Sequence, residues 1–181
     1  LAYTDTVTHL PNRRCTYEAL ELELSMHGET GGRVGLLLID LDNFKVVNDT
    51  AGHAAGDRLL RQVASVLRAT ARPSYRIGRI GGDEFAVIVA PLDDPAELER
   101  VGQRIVAGLR QPLQVEGLEV IPTASIGACM FPDDAHTMSE LLSNADAALY
   151  CAKANGRDTV AVFEREMILA TQRRARLDRD L

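Results

Sequence analysis

The sequence predicts an α+β fold with a mixed, mainly antiparallel sheet, on three observations. Val34 to Ile39 is an unbroken apolar run, short enough for a buried central strand and closed by Asp40-Leu41-Asp42. Tyr75 to Ile80 and Phe85 to Val89 have strand character and flank Gly81-Gly82-Asp83-Glu84, which reads as a β-hairpin with two carboxylates at its tip. The order strand, helices, hairpin, helix, strand, helix, strand lacks the regular alternation of a doubly wound parallel fold.

The elements follow in order. From about Asn12 to His27, Tyr17, Leu20 and Leu24 with neighbouring Leu22 form an apolar helical face that Gly28 and Gly31-Gly32 should end. After the first strand, Asn43 to Thr50 predicts a short helix stopped near Gly52. Ala54 to Ala71 predicts a long one, with Leu59, Leu60, Val63, Val66 and Leu67 on one side and Pro73 beyond it. Past the hairpin, Asp94 is placed to cap a helix opened by Pro95 and running to about Leu109. Leu113 to Val115 and Leu118 to Cys129 read as strands, Thr137 to Ala154 as a helix, and Thr159 to Phe163 as a last strand. Glu164 to Leu181 is a highly charged tail of helical composition. No internal repeat interrupts this plan.

The 181 residues, 46% hydrophobic and 25% charged, suit one domain with a real core. Twenty-six acidic against twenty basic side chains give a formal charge of −6, which disfavours nucleic acid as a partner. No apolar run approaches the roughly 20 residues that span a bilayer, and no signal peptide opens the chain, so no membrane contact is expected. Cys15, Cys129 and Cys151 are odd in number and widely spaced, as expected of reduced packing thiols in a cytoplasmic setting. The start without methionine reads as a piece excised from a longer chain.

Three clusters carry chemistry: Asp40-Leu41-Asp42 at a strand end, Asp83-Glu84 at the hairpin tip, and Lys153-Ala154-Asn155-Gly156-Arg157 closing the last long helix. If the hairpin pairs beside the first strand, Asp40 and Asp83 meet across one sheet edge with cations nearby. Glycine at the tip tolerates positive φ and lets a phosphate approach the backbone, while the acids suit a hard cation such as Mg²⁺. Taken singly, each cluster has a plainer reading: a water-facing turn for Gly81 to Glu84, and charges complementing a helix dipole for Lys153 and Arg157. Together they equip a chain for phosphoryl transfer, which needs neutralised phosphate charge and an in-line nucleophile. Gly-x-x-x-x-Gly-Lys-Ser/Thr is absent, so a triphosphate enzyme here is of the metal-carboxylate, palm-like kind. The four histidines lack zinc-ligand spacing, and no Gly-x-Ser-x-Gly elbow occurs.

Five motifs in order resemble the GGDEF domain, the diguanylate cyclase family, over about residues 5–163. They are Asp5 to Arg13 (DTVTHLPNR), Asp40 to Asp49 (DLDNFKVVND), Gly52 to Asp57 (GHAAGD), Gly81 to Phe85 (GGDEF), and Ala145 to Arg157 (ADAALYCAKANGR). The resemblance implies a palm-like fold with a mainly antiparallel five-stranded sheet. It also implies condensation of two GTP into cyclic di-GMP with release of two pyrophosphates, each subunit of a homodimer presenting one GTP to the other. Carried over residue by residue, Asp40, Asp83 and the Leu41 carbonyl look like ligands of Mg²⁺, with Mn²⁺ as a substitute. Glu84 resembles the acid that positions metal or activates the 3′-hydroxyl, and its role is not separable from that of Asp83 by sequence. Asn48 and Asp57 match the guanine-reading pair; a carboxylate accepts from guanine N–H groups that adenine does not offer in that arrangement. Lys45, Lys153 and Arg157 match triphosphate clamps, and Phe44 and Gly82 flank the substrate. Backbone N–H groups from Asn43 to Lys45, at a helix start, would add donors.

Two positions depart from the pattern. His9 stands where glycine is usual, which alters the turn there. Arg72-Pro73-Ser74-Tyr75 stands where the family's product-inhibition site is Arg-x-x-Asp, so tight product binding is not expected. Residues 1–11 are read as a connector from an upstream, sensory-type domain, 12–163 as the cyclase domain and 164–181 as a second connector. The tail resembles the link to an EAL phosphodiesterase domain, against the plainer reading of a solvated terminal helix. The functional expectation is an active cyclase; the rival is a GTP-binding module that controls a neighbouring phosphodiesterase without turnover.

Overall fold

A computed structural model describes residues 2–180; Leu1 and Leu181, the outer ends of the two expected connectors, lie outside the described residues. Strand β1 (Val34–Leu41) is the centre of a five-stranded sheet. It pairs antiparallel with β3 (Glu84–Val89) on one side and with β6 (Ala124–Phe131) on the other. The edges are β2 (Arg76–Arg79), antiparallel to β3, and β7 (Thr159–Val162), parallel to β6.

Every residue of β1 is buried because helices cover both sheet faces, which is why its sequence is apolar without alternation. Leu36 and Leu38 point to the layer of α1 (Arg13–Thr30) and α5 (Met138–Ala154). Leu37, Ile39 and Leu41 point to the layer of α3 (His53–Thr70) and α4 (Pro95–Leu109). On β3, Ala86 and Ile88 share the first face, and Phe85, Val87 and Val89 the second. Each such fully buried Leu, Ile or Phe contributes about 1.5–3 kcal/mol of transfer free energy. Side chains alternate along a strand, so Asp40 falls on the face of Leu36 and Leu38, and Glu84, its register partner, on the same face. That phase aims the acids at α5.

Several boundaries differ from expectation, each for a local reason. Helix α1 runs through Gly28 to Thr30, because Gly28 lies against Phe131 and the stop is Gly31, left-handed at φ 74°. The expected strand from Leu118 to Cys129 is two strands. Leu118–Val120, here β5, pairs with β4 (Leu113–Val115) in a separate hairpin, turning at Glu116 and Gly117, both at positive φ. Pro122, with no N–H for a ladder, lies in the break before β6. Strand β2 is shorter than Tyr75 to Ile80, and the Tyr75 ring is in the core. Short helix α2 spans Phe44–Ala51, after a left-handed Asn43, and α6 spans Glu166–Asp180.

Residues 4–11 fold back as a turn. Thr4 bridges Pro11, Asp5 accepts from both the N–H and the hydroxyl of Thr8 at 2.8 and 2.6 Å, and Leu10 is buried. His9 keeps the turn at φ 61°, a region that costs an L-residue roughly 1–2 kcal/mol. His9→Gly is therefore expected to raise stability by about 0.5–1 kcal/mol after the entropy gained by the unfolded chain. Denaturant unfolding checks this; a lower midpoint would show that the imidazole is needed there.

Candidate active site

The β1–β3 pairing places Asp40 opposite Glu84, and the Leu41 N–H donates to the Asp83 carbonyl at 3.1 Å. Asp40 and Asp83 thus meet at the ends of two adjacent inner strands. The expected meeting at a sheet edge is corrected, since the edge is β2, one strand further out. A cleft of about 200 Å³ gathers Asp40, Leu41, Phe44, Lys45, Asp83, Lys153 and Arg157 with Asp42 and Asn43. Seven of the eleven expected site residues therefore share one cleft.

The remaining four lie around it. Glu84 lines a neighbouring cleft of about 350 Å³ with Arg13, Tyr17 and Asp146. Asn48, on α2, rests its side chain on Gly56 of α3, where any Cβ would lie 1.9 Å from Asn48 Oδ1; Asp57 is the next residue. Gly82 is exposed with nothing within 4 Å of a would-be Cβ, leaving room above the turn. Neither Gly81 nor Gly82 adopts positive φ, contrary to the reason expected for them. What Gly81 supplies is space, since a Cβ there would sit 2.6 Å from Glu84 Oε2.

Asp40 is buried, and its Oδ1 has no hydrogen-bond partner. Its Oδ2 is ion-paired with Lys153 Nζ. Burial, and after it the Asp40 charge alongside, push the Asp83 carboxyl up to about 6. Lys153 neutralises Asp40, while Asp83 makes no ion pair of its own among the described residues. Among the described residues no three His, Cys, Asp or Glu side chains converge as a ready-made cation cage. The start of α2 carries no side-chain cap, so no cap side chain accepts from its first N–H groups.

The sequence reading gave no role to three residues that hold this geometry. Arg79 donates to the Gly81 and Gly82 carbonyls at 3.1 and 2.7 Å and to Asp5 Oδ1 at 3.0 Å, fastening the hairpin tip to the N-terminal turn. Burial alone would raise the Asp5 carboxyl, but Thr8 and Arg79 hold it below its ordinary value. Asp42 accepts from Thr123, Ser125 and the Asp158 N–H at 2.8, 2.7 and 3.0 Å, so it latches the loop after α5. That loop carries Gly156, Arg157 and Asp158 all at positive φ, which sets where Arg157 emerges. An Arg two residues before Gly-Gly was a usable signal for the first; Asp5 and Asp42 fall within motifs, but nothing local shows which groups they bind.

Arg72 is two-thirds exposed and pairs with Glu97 at 3.6 Å, which also holds Arg100 and Arg104. Tyr75 is buried in the core and offers no carboxylate. A calorimetric titration with cyclic di-GMP is expected to show no tight site here; submicromolar binding that Arg72→Ala abolishes would overturn this. The three cysteines are free, and burial pushes the Cys129 thiol up to about 12, in keeping with packing. No described helix is long and apolar enough to cross a membrane.

The profile of the family described as "Diguanylate cyclase, GGDEF domain" matches residues 2–159. Over its full length the chain is 40% identical to the bifunctional diguanylate cyclase/cyclic di-GMP phosphodiesterase MucR of Pseudomonas aeruginosa, spanning 26% of that protein. It superposes on the isolated GGDEF domain of TpbB from Pseudomonas aeruginosa with a TM-score of 0.90 at 36% identity, covering 93% of this chain and 99% of that one. The coiled coil and GGDEF domain of DgcB from Caulobacter crescentus, solved with c-di-GMP, gives 0.82 at 31% identity, covering 89% and 85%. Fold, motif order and relatives agree, and the chain belongs to the GGDEF family of diguanylate cyclase domains.

Proposed function

We propose that this domain is a diguanylate cyclase, condensing two GTP into cyclic di-GMP with release of two pyrophosphates, and that it works as a homodimer because each chain carries one half-site. The observation that carries this is the joining of Asp40 and Asp83 at one end of the sheet, with Lys45, Lys153 and Arg157 around the same cleft. The unpartnered buried Oδ1 of Asp40 and the unneutralised acid beside it fit a divalent cation. Asp40, Asp83 and the Leu41 carbonyl would hold Mg²⁺, or Mn²⁺ in its place, and substrate phosphates and water would complete a site that three side chains do not pre-form. When bound, the ion supplies neutralisation of phosphate charge and acidifies the attacking hydroxyl.

The chain's own groups do the rest. Asp57 accepts from the guanine N1 and N2 hydrogens with Asn48 beside it, Phe44 and Gly82 border the nucleotide, and Lys45, Lys153 and Arg157 hold the triphosphate with the α2 N–H groups. Glu84 assists at the 3′-hydroxyl, whose oxygen attacks the α-phosphorus of the partner's GTP as pyrophosphate leaves; the second bond forms likewise. A second reading is a GTP-binding module regulating a phosphodiesterase elsewhere in the same protein, supported by the relative NbdA of Pseudomonas aeruginosa, 33% identical over the full length of this chain and named as a cyclic di-GMP phosphodiesterase. Chromatography of a reaction with Mg²⁺ and GTP tests the proposal. Cyclic di-GMP and pyrophosphate in a one-to-two ratio are expected, and GTP bound but recovered intact would favour the regulatory module.

A further inference from the structure

We propose that Lys153 is a stand-in cation that occupies Asp40 until a metal–triphosphate complex displaces it, so that the divalent ion enters with the nucleotide and not ahead of it. The inference rests on the metal-carboxylate reading above and concerns the order in which that site fills. Three carboxylates, Asp40, Asp83 and Glu84, stand at one end of the sheet, and among the described residues the ion pair that any of them makes is Asp40 with Lys153. Asp40 is the most enclosed of the three, and a buried carboxylate needs a counter-charge. The ammonium supplies it at Oδ2, one of the two oxygens a metal would need, while Oδ1 stays without a partner.

Lys153 is placed to let go. It sits in the last turn of α5 with its side chain about one-third exposed (36%), and it lines the same cleft as Lys45 and Arg157. Its four-carbon stem carries a compact charge that can turn from one anion to another within that cleft. A divalent ion arriving alone must expel the ammonium from Asp40 and, among the described residues, finds no three-ligand cage in return. An ion arriving on a triphosphate brings both further oxygen ligands and a new anion for Lys153. Metal and nucleotide therefore favour each other's binding, and by linkage the coupling is reciprocal.

The test is equilibrium Mn²⁺ binding, read by electron paramagnetic resonance of the free ion, with and without a non-hydrolysable GTP analogue. Wild-type chain is compared with Lys153→Met, with Lys153→Gln as a second variant and Arg157→Met as a control. Without nucleotide, both Lys153 variants are expected to bind Mn²⁺ roughly tenfold or more tightly than wild type, since an opposing charge within about 4–6 Å of Asp40 has gone. The same variants should bind the analogue more weakly, and Arg157→Met should weaken the analogue without tightening Mn²⁺. A side chain with a structural role alone would not improve metal affinity when removed. Unchanged or weaker nucleotide-free Mn²⁺ binding in both Lys153 variants, with analogue-dependent Mn²⁺ binding retained in wild type, would overturn the stand-in role alone. No Mn²⁺ binding by any form, even with the analogue, would overturn the metal reading and the inference with it.

Discussion

Asp40→Ala is expected to abolish cyclic di-GMP formation, by on the order of a thousandfold or more, while leaving the fold intact. The side chain's one ion pair is with Lys153, whose ammonium already reaches solvent, so truncation leaves no stranded buried charge. Asp83→Asn should remove turnover equally, yet stabilise the metal-free domain. The Asp83 carboxyl is raised from 3.8 to about 6 by burial and then by Asp40, so its ionised form is disfavoured in the folded chain. Its contribution to stability is present below the unfolded value and is lost as pH rises through about 6. Wild type should accordingly lose roughly 1 kcal/mol between pH 4 and pH 7.5 from this group, once solvent screening at a half-exposed side chain is discounted. In Asp83→Asn that slope should flatten. Denaturant midpoints across this range, beside product analysis, decide it; retained turnover in either variant would remove the two-carboxylate mechanism.

Gly127→Ala is expected to cost about 3 kcal/mol or more, the largest effect anticipated away from the site. Gly127 lies in β6 where α5 crosses it, and a Cβ there would be 2.2 Å from the Ala145 carbonyl oxygen and 2.3 Å from the Leu149 nitrogen. Both are helix backbone, so no side-chain rotation relieves the clash, and α5 must move off the sheet. Because α5 carries Lys153, activity should fall even where the domain stays folded. Gly28→Ala gives the contrast, for its Cβ would meet Phe131 at 3.6 Å, an ordinary contact, within a helix. That change should stabilise by roughly 0.5–1 kcal/mol. Equal effects from the two substitutions would refute the close-approach argument.

The contrast also marks what was legible in the chain. The apolar run of β1, the hairpin and the helices with clear apolar faces are local patterns, and apart from the end of α1 each appears within a residue or two of its expected place. The pairing of Asp40 with Asp83 was inferable because a strand end and a hairpin tip are where carboxylates converge. Features decided by tertiary contact were not legible. Gly28 looks like a helix stop until Phe131 is seen beside it, and one strand from Leu118 to Cys129 looks continuous until β4 captures its first residues. Asp42 resembles Asp40 in the sequence, yet its three hydrogen bonds make it a latch for the Arg157 loop. The hold of Lys153 on Asp40 depends on the phase of α5 over the sheet, which no motif encodes.

The most direct measurement is cyclic di-GMP formed per chain from Mg²⁺ and GTP, by the domain alone over a range of concentrations and by the domain fused to a coiled-coil dimeriser. The half-site account predicts that output per chain rises with concentration in the free domain and is high and concentration-independent in the fusion. GTP bound but unconverted in both forms, at every concentration, would contradict it.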